Sequence, residues 1–125
     1  MTRLLVDTHA LLWWLTDDLA LTPTARDALA DPGNEPLVSS ASVWEIAIKR
    51  SLGKLTAPDD LPDRIADAGF AWLPVSPVHA WQVRDLPAHH GDPFDRLLVA
   101  QALTERLPII TADASFDDYG VEVLW

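Results

Sequence analysis

A mostly parallel α/β sheet of four to five strands flanked by helices is the fold this sequence predicts, and three observations carry it. Strand-like and helix-like segments alternate from end to end. Short apolar runs such as Leu4-Leu5-Val6 and Ile109-Ile110 have the length of buried strands rather than of helices. Prolines and glycines fall at the joints between segments, where a helix starts or stops.

Taken in order, Arg3 to Asp7 reads as the first strand, and His9 to Leu15 is compatible with a helix. Thr22-Pro23 pairs a capping hydroxyl with proline at the first helical position, opening a helix to about Leu29. Pro36 to Ser39 is a second strand. A helix then runs from Ser40 or Ala41 to Leu52 and stops at Gly53. Asp59 to Ala68 is helical, ending at Gly69, and Phe70 to Val75 forms a third strand. Ser76-Pro77 opens a helix to about Asp85, and Leu86 to Gly91 is a polar loop. Asp92-Pro93 starts the clearest helix, which ends near Arg106. Pro108 to Thr111 and Val121 to Leu124 complete the strands. No linker or repeat interrupts the 125 residues, so residues 1–125 read as one domain.

Composition narrows the function. Nine Lys and Arg face 19 Asp and Glu, a net charge of −10, which argues against a protein whose task is to grip nucleic-acid backbone. The same charge favours a basic partner. With no cysteine there is neither a disulfide framework nor a thiolate metal site. No apolar stretch approaches the roughly 20 residues of a membrane span. No targeting segment is visible at the N-terminus, and the cytoplasm is the expected compartment.

Four acids stand where such a fold brings residues together. Asp7 closes the first strand, Asp113 follows the fourth, Glu45 lies in an otherwise apolar helical run, and Asp95 sits in the first turn of the Pro93 helix. Strand carboxyl ends of a parallel sheet share one edge, and ligands bind there. Carboxylates converging on that edge repel unless a cation neutralises them. Oxygen-only donors select Mg²⁺ or Mn²⁺ over zinc. Each acid also has a plainer explanation. Asp7 could cap a helix, although Thr8 could do so equally well. Asp113 could belong to a turn. Ser42, Glu45 and Lys49 form a narrow polar stripe that could be solvated, with Glu45 and Lys49 as an i,i+4 pair. Asp92 is the expected N-cap, with Asp95 completing a capping box.

The neighbouring residues divide in the same way. Thr8 and Thr111 could position water or orient ligands. His89-His90 could hold a metal or phosphate, but adjacent histidines point apart, and a solvated loop pair is the expectation. Arg96 could contact a substrate phosphate or pair with an acid. Trp44, Trp72 and Trp81 are expected in the core. Trp13 and Trp14 are adjacent on a short helix and cannot both face inward, which marks a partner surface.

Leu4-Leu5-Val6-Asp7-Thr8-His9, Ser42-Val43-Trp44-Glu45-Ile46, Asp92-Pro93-Phe94-Asp95-Arg96-Leu97-Leu98 and Ile110-Thr111-Ala112-Asp113 together resemble the PIN-domain nucleases. The likeness is strongest to toxins of the VapC type from bacterial type II toxin–antitoxin pairs, and it spans the whole chain in motif order. It implies a PIN-like three-layer fold and metal-dependent endoribonuclease activity. Asp7, Glu45, Asp95 and Asp113 then match the acidic quartet that binds Mg²⁺ or Mn²⁺, and Thr111 matches a recurrent hydroxyl before the last acid. The resemblance further implies a homodimer or toxin–antitoxin hetero-oligomer. It also implies an RNA substrate and a cognate antitoxin that lies along an apolar groove and reaches a basic side chain toward the acids; the acidic charge and Trp13-Trp14 suit that partner. Two other classes compete. A catalytically silent binding module would keep the fold without the reaction. An aspartyl phosphoryl-transfer protein would want a late lysine, whereas the only lysines are Lys49 and Lys54.

Overall fold

The computed structural model describes residues 2–125. Five parallel strands form one sheet in the order β3-β2-β1-β4-β5. They are β1 (Thr2–Val6), β2 (Asn34–Ser39), β3 (Ala71–Leu73), β4 (Ile109–Ile110) and β5 (Val123–Leu124). Between them run α1 (Thr8–Leu15), α2 (Pro23–Ala30), α3 (Ser40–Ser51), α4 (Leu61–Asp67), α5 (Pro77–Gln82) and α6 (Pro93–Glu105). Short 3₁₀ turns occupy Val83–Asp85 and Ala114–Tyr119.

Alternation along β1 builds the three layers. Leu4 and Val6 point to one face, where Leu11, Ala25, Ile46, Ile65 and Phe70 close over them. Leu5 points to the other, against Leu98, Val99, Ile109 and Phe116. Each fully buried leucine or isoleucine removes enough apolar surface from water to contribute about 1.5–3 kcal/mol. The strands are therefore hydrophobic on both faces, as a helix-covered parallel sheet requires.

The element borders follow the punctuation with small shifts. Thr22 and Ser76 accept backbone N–H bonds as N-caps with proline next in line. Gly53 and Gly69 adopt positive φ of 71° and 91° just beyond their helices, a conformation that costs glycine least. β2 begins two residues earlier than expected, so Pro36 lies inside a strand between two neighbours. It pairs with Leu4 of β1, while β3 pairs with β2 only from Leu37 onward. Its missing donor therefore costs no ladder bond on the β3 side.

The tryptophan expectation fails. Trp44, Trp72 and Trp81 are 59%, 41% and 68% exposed. On α3 the buried face is Ala41, Ser42, Glu45 and Ile46, so one 100° step turns Trp44 outward. Trp72 sits on the short edge strand β3, and the Arg84 guanidinium covers the Trp81 ring at 4.6 Å. Trp13 and Trp14 are half-buried against the core, and Trp13 also meets Trp125 at 5.7 Å between ring centroids.

Candidate metal centre

Sheet order places the site. From β1 the chain moves to β2 on one side and returns through β4 on the other, so the crevice beyond β1 and β4 is the point where strand order reverses. Asp7 follows β1 there, and Thr111 follows β4. The Thr111 hydroxyl donates to Asp7 Oδ2 across that crevice, while Asp7 Oδ1 accepts Ala10 N–H at 2.8 Å. Asp7, not Thr8, is thus the N-cap of α1, because its extended backbone (ψ 167°) aims the carboxylate back over the first turn. One oxygen caps the helix and the other is held by Thr111.

Thr8 is turned to a different task. Its hydroxyl donates to Glu45 Oε1 at 2.7 Å and is bonded to Ser42 Oγ at 3.0 Å. Glu45 Oε2 accepts from Lys49 Nζ at 2.5 Å. The i,i+4 pair expected from spacing is present, but it is not a solvated stripe. Ser42 and Glu45 are 1% and 2% exposed, so α3 buries its polar face and shows its tryptophan. Donating this hydrogen bond to Glu45 holds the pKa of the Lys49 ammonium above its usual range.

Asp92 accepts from Phe94 and Asp95 N–H and is the N-cap of α6, as the sequence predicts. This presents Asp95 at the mouth of the same crevice. Burial, then repulsion from Asp92, Glu45 and Asp7, raises the Asp95 carboxyl to about 7. Asp7 is also raised, chiefly by burial. Asp113 accepts Ser115 N–H at 3.0 Å and caps the following 3₁₀ turn, and its own N–H donates to Thr111 Oγ1. Burial opposes ionisation of Asp113, but hydrogen bonds from Ser115 and His90 outweigh it and hold the group below the usual range. Asp7, Glu45 and Asp95 feel one another's charge, and Asp113 joins them through His90, which reaches both Asp113 and Asp95.

Two expectations need correcting. His89 and His90 point apart; His89 is exposed as expected, but His90 is turned inward. His89 lies edge-on to Tyr119, while His90 Nε2 reaches Asp113 Oδ2 at 2.7 Å and Asp95 Oδ2 at 3.5 Å. The hydrogen bond to Asp113 raises the His90 imidazole. Arg96 pairs with no acid among the described residues. Its guanidinium donates to the carbonyls of Pro87 at 2.9 Å, Val83 and Leu86 at 3.3 Å, and His90 at 3.5 Å. A loop that lacks ladder partners has free carbonyls, and the planar fork collects them. Arg96→Ala is expected to cost about 1.5–3 kcal/mol in a denaturant titration, and lysine, which lacks the fork, restores less than half of it. From sequence His90 is a metal or phosphate candidate, but a solvated loop is favoured, because loop geometry, not spacing, aims the side chain.

Residues 4–122 match the PIN domain family. The chain is a PIN domain. Ribonuclease VapC22 of Mycobacterium tuberculosis is 27% identical to it over 121 residues, spanning 90% of this chain and 88% of that protein. Ribonuclease VapC16 of the same organism is 41% identical over 58 residues, 43% of this chain and 41% of that one. Among solved structures, VapBC2 from Rickettsia felis bound to a promoter DNA fragment superposes with a TM-score of 0.72 at 11% identity, covering 98% of this chain and 97% of that one. A FitAB complex bound to an IR36 DNA fragment gives 0.61 at 17% identity, covering 96% and 92%. The structural likenesses establish the fold of this PIN domain.

The donor set fits a hard divalent cation. Buried carboxylates raised by burial and mutual repulsion regain their charge when a cation joins them, and oxygen donors match Mg²⁺ or Mn²⁺.

Proposed function

We propose that this PIN domain is a Mg²⁺- or Mn²⁺-dependent endoribonuclease, the toxin of a type II toxin–antitoxin pair. The observation that carries the reading is the charge coupling of Asp7, Glu45 and Asp95 at the strand-order reversal, with Asp113 joined to Asp95 through His90. The names of the relatives and the toxin–antitoxin complexes among the structural neighbours support the biological role.

Asp7, Glu45, Asp95 and Asp113 would hold the cation. Once bound, it would lower the pKa of water and offset charge on the attacked phosphate. The chain's own groups do the positioning. Thr111 fixes one oxygen of Asp7, Thr8 and Lys49 fix those of Glu45, and Asp92 fixes the helix that carries Asp95. These hydrogen bonds restrict how the carboxylates can turn before a cation arrives. The test is to incubate partner-free protein with total RNA and map the new ends. Cleavage should appear with Mg²⁺ or Mn²⁺ and vanish with chelator; chelator-resistant cleavage, or none with either cation, would refute the reading.

The antitoxin belongs on the apolar surface beside the acids. Trp13 and Trp14 were the expected site, yet both pack on the core. A cavity of about 240 Å³ lined by Trp44, Ala80, Val83, Pro93, Phe94 and Leu97 is more open to a partner. Trp44 precedes Glu45 and Phe94 precedes Asp95, so a segment lodged here would bring a following basic side chain to the carboxylates. Trp44→Ala should weaken antitoxin binding about 30-fold, a hot-spot loss of roughly 2 kcal/mol, by titration calorimetry. A loss confined to Trp13→Ser would return docking to α1. No helix among the described residues is long and apolar enough to cross a membrane. We assign the protein to the cytoplasm, where it acts on RNA as a homodimer or with its antitoxin.

A further inference from the structure

We propose that His90 is a ligand of the catalytic cation, making the donor set mixed nitrogen and oxygen and biasing it toward Mn²⁺ over Mg²⁺. The inference rests on the metal-dependent reading above. His90 Nε2 and one oxygen each of Asp95 and Asp113 all lie within 4.8 Å of one another. The Nε2 separations are 3.5 Å from Asp95 Oδ2 and 2.7 Å from Asp113 Oδ2. Adjacent ligands of an octahedral ion at 2.0–2.2 Å are about 3 Å apart, so the two separations bracket what one shared ion needs. A cation arriving among these atoms takes the place of the hydrogen-bonded proton, with little movement of the chain.

The imidazole is held for this role rather than left to wander. Its ring stands edge-on to the fully buried Phe116 at 5.7 Å, and its backbone carbonyl is one of those gathered by Arg96. Its partner Asp113 is itself fixed by Ser115 N–H and Oγ. Lys49 holds Glu45 from α3, so it does not compete for the Asp95–Asp113 gap. An imidazole nitrogen adds little for Mg²⁺, which prefers oxygen and water, and more for Mn²⁺, a transition-metal ion that accepts nitrogen donors more readily.

The experiment is electron spin-echo spectroscopy of Mn²⁺ added to the full chain, with natural-abundance and ¹⁵N-histidine protein, alongside calorimetric titration with Mn²⁺ and Mg²⁺. His9 also lies near Asp7, so His9→Gln and His90→Gln are compared. The expected result is a directly coordinated histidine nitrogen in the wild type and in His9→Gln, lost in His90→Gln. His90→Gln should also lower Mn²⁺ affinity about tenfold, with a smaller change for Mg²⁺. Mn²⁺ bound with oxygen couplings alone, or a nitrogen that disappears in His9→Gln instead, would overturn the proposal while leaving the metal-dependent reading standing. Failure of Mn²⁺ to bind stoichiometrically would overturn both. The wild-type and His9→Gln spectra together decide even if His90→Gln is poorly folded.

Discussion

Asp7→Asn removes RNA cleavage, by at least about 10²–10³-fold in rate, while the protein stays folded. The two halves of this expectation come from the two oxygens of one side chain. Asparagine caps helices as well as aspartate does, so the bond to Ala10 N–H survives and α1 still starts correctly. The other position, held by Thr111, loses the charge that a cation needs. End-mapping on total RNA measures the first half, and circular dichroism with a urea midpoint measures the second. Retention of cation-dependent cleavage in folded Asp7→Asn protein would remove Asp7 from the site.

The second large effect is on stability. In chelator, the protein should lose stability as pH rises from about 4 to 7, and added Mg²⁺ should reverse the loss. Asp95 is raised from 3.8 to about 7 by burial and then by Asp92. Its folded form therefore binds a proton that its unfolded form has released, and the cost of ionising it grows through this window. The shift corresponds to about 4 kcal/mol at most, and partial exposure of the side chain reduces it to about 2. His90 acts in the same direction. Its folded pKa is raised by Asp113, so its contribution is complete below its unfolded pKa and fades as pH passes the folded one. Asp113 is lowered, so its contribution is lost only in more acidic solution. Thermal melts at several pH values, with chelator and with excess Mg²⁺, test this. Asp95→Asn should flatten the chelated profile and raise stability at pH 8; a chelated profile that rises with pH would contradict the assignment.

The contrast between what was legible and what was not has a physical origin. Strands, helices and their caps could be read because proline, glycine and Asp-Pro or Thr-Pro pairs act locally, on backbone dihedrals and orphan N–H groups. Asp7, Glu45, Asp95 and Asp113 could be read because strand ends and helix starts in an α/β chain share one edge. Rotation of α3 could not. Apolar Val43, Trp44, Ile46 and Ile48 leave no unambiguous buried face, and the outcome turns on Glu45 finding Thr8 and Lys49 inside. Arg96 and His90 depend on the path of residues 83–91, where no periodic pattern sets direction.

Trp44 and Phe94 meet edge to face at 5.1 Å, and each is the residue just before an acid. Their contact is a strut between α3 and α6, set outside the crevice on the two helices that carry Glu45 and Asp95. Anything that compresses or spreads the strut changes the gauge of the carboxylates without entering between them. A bound protein segment that pushes these two rings apart could therefore silence the centre at a distance, leaving every one of its ligands in place.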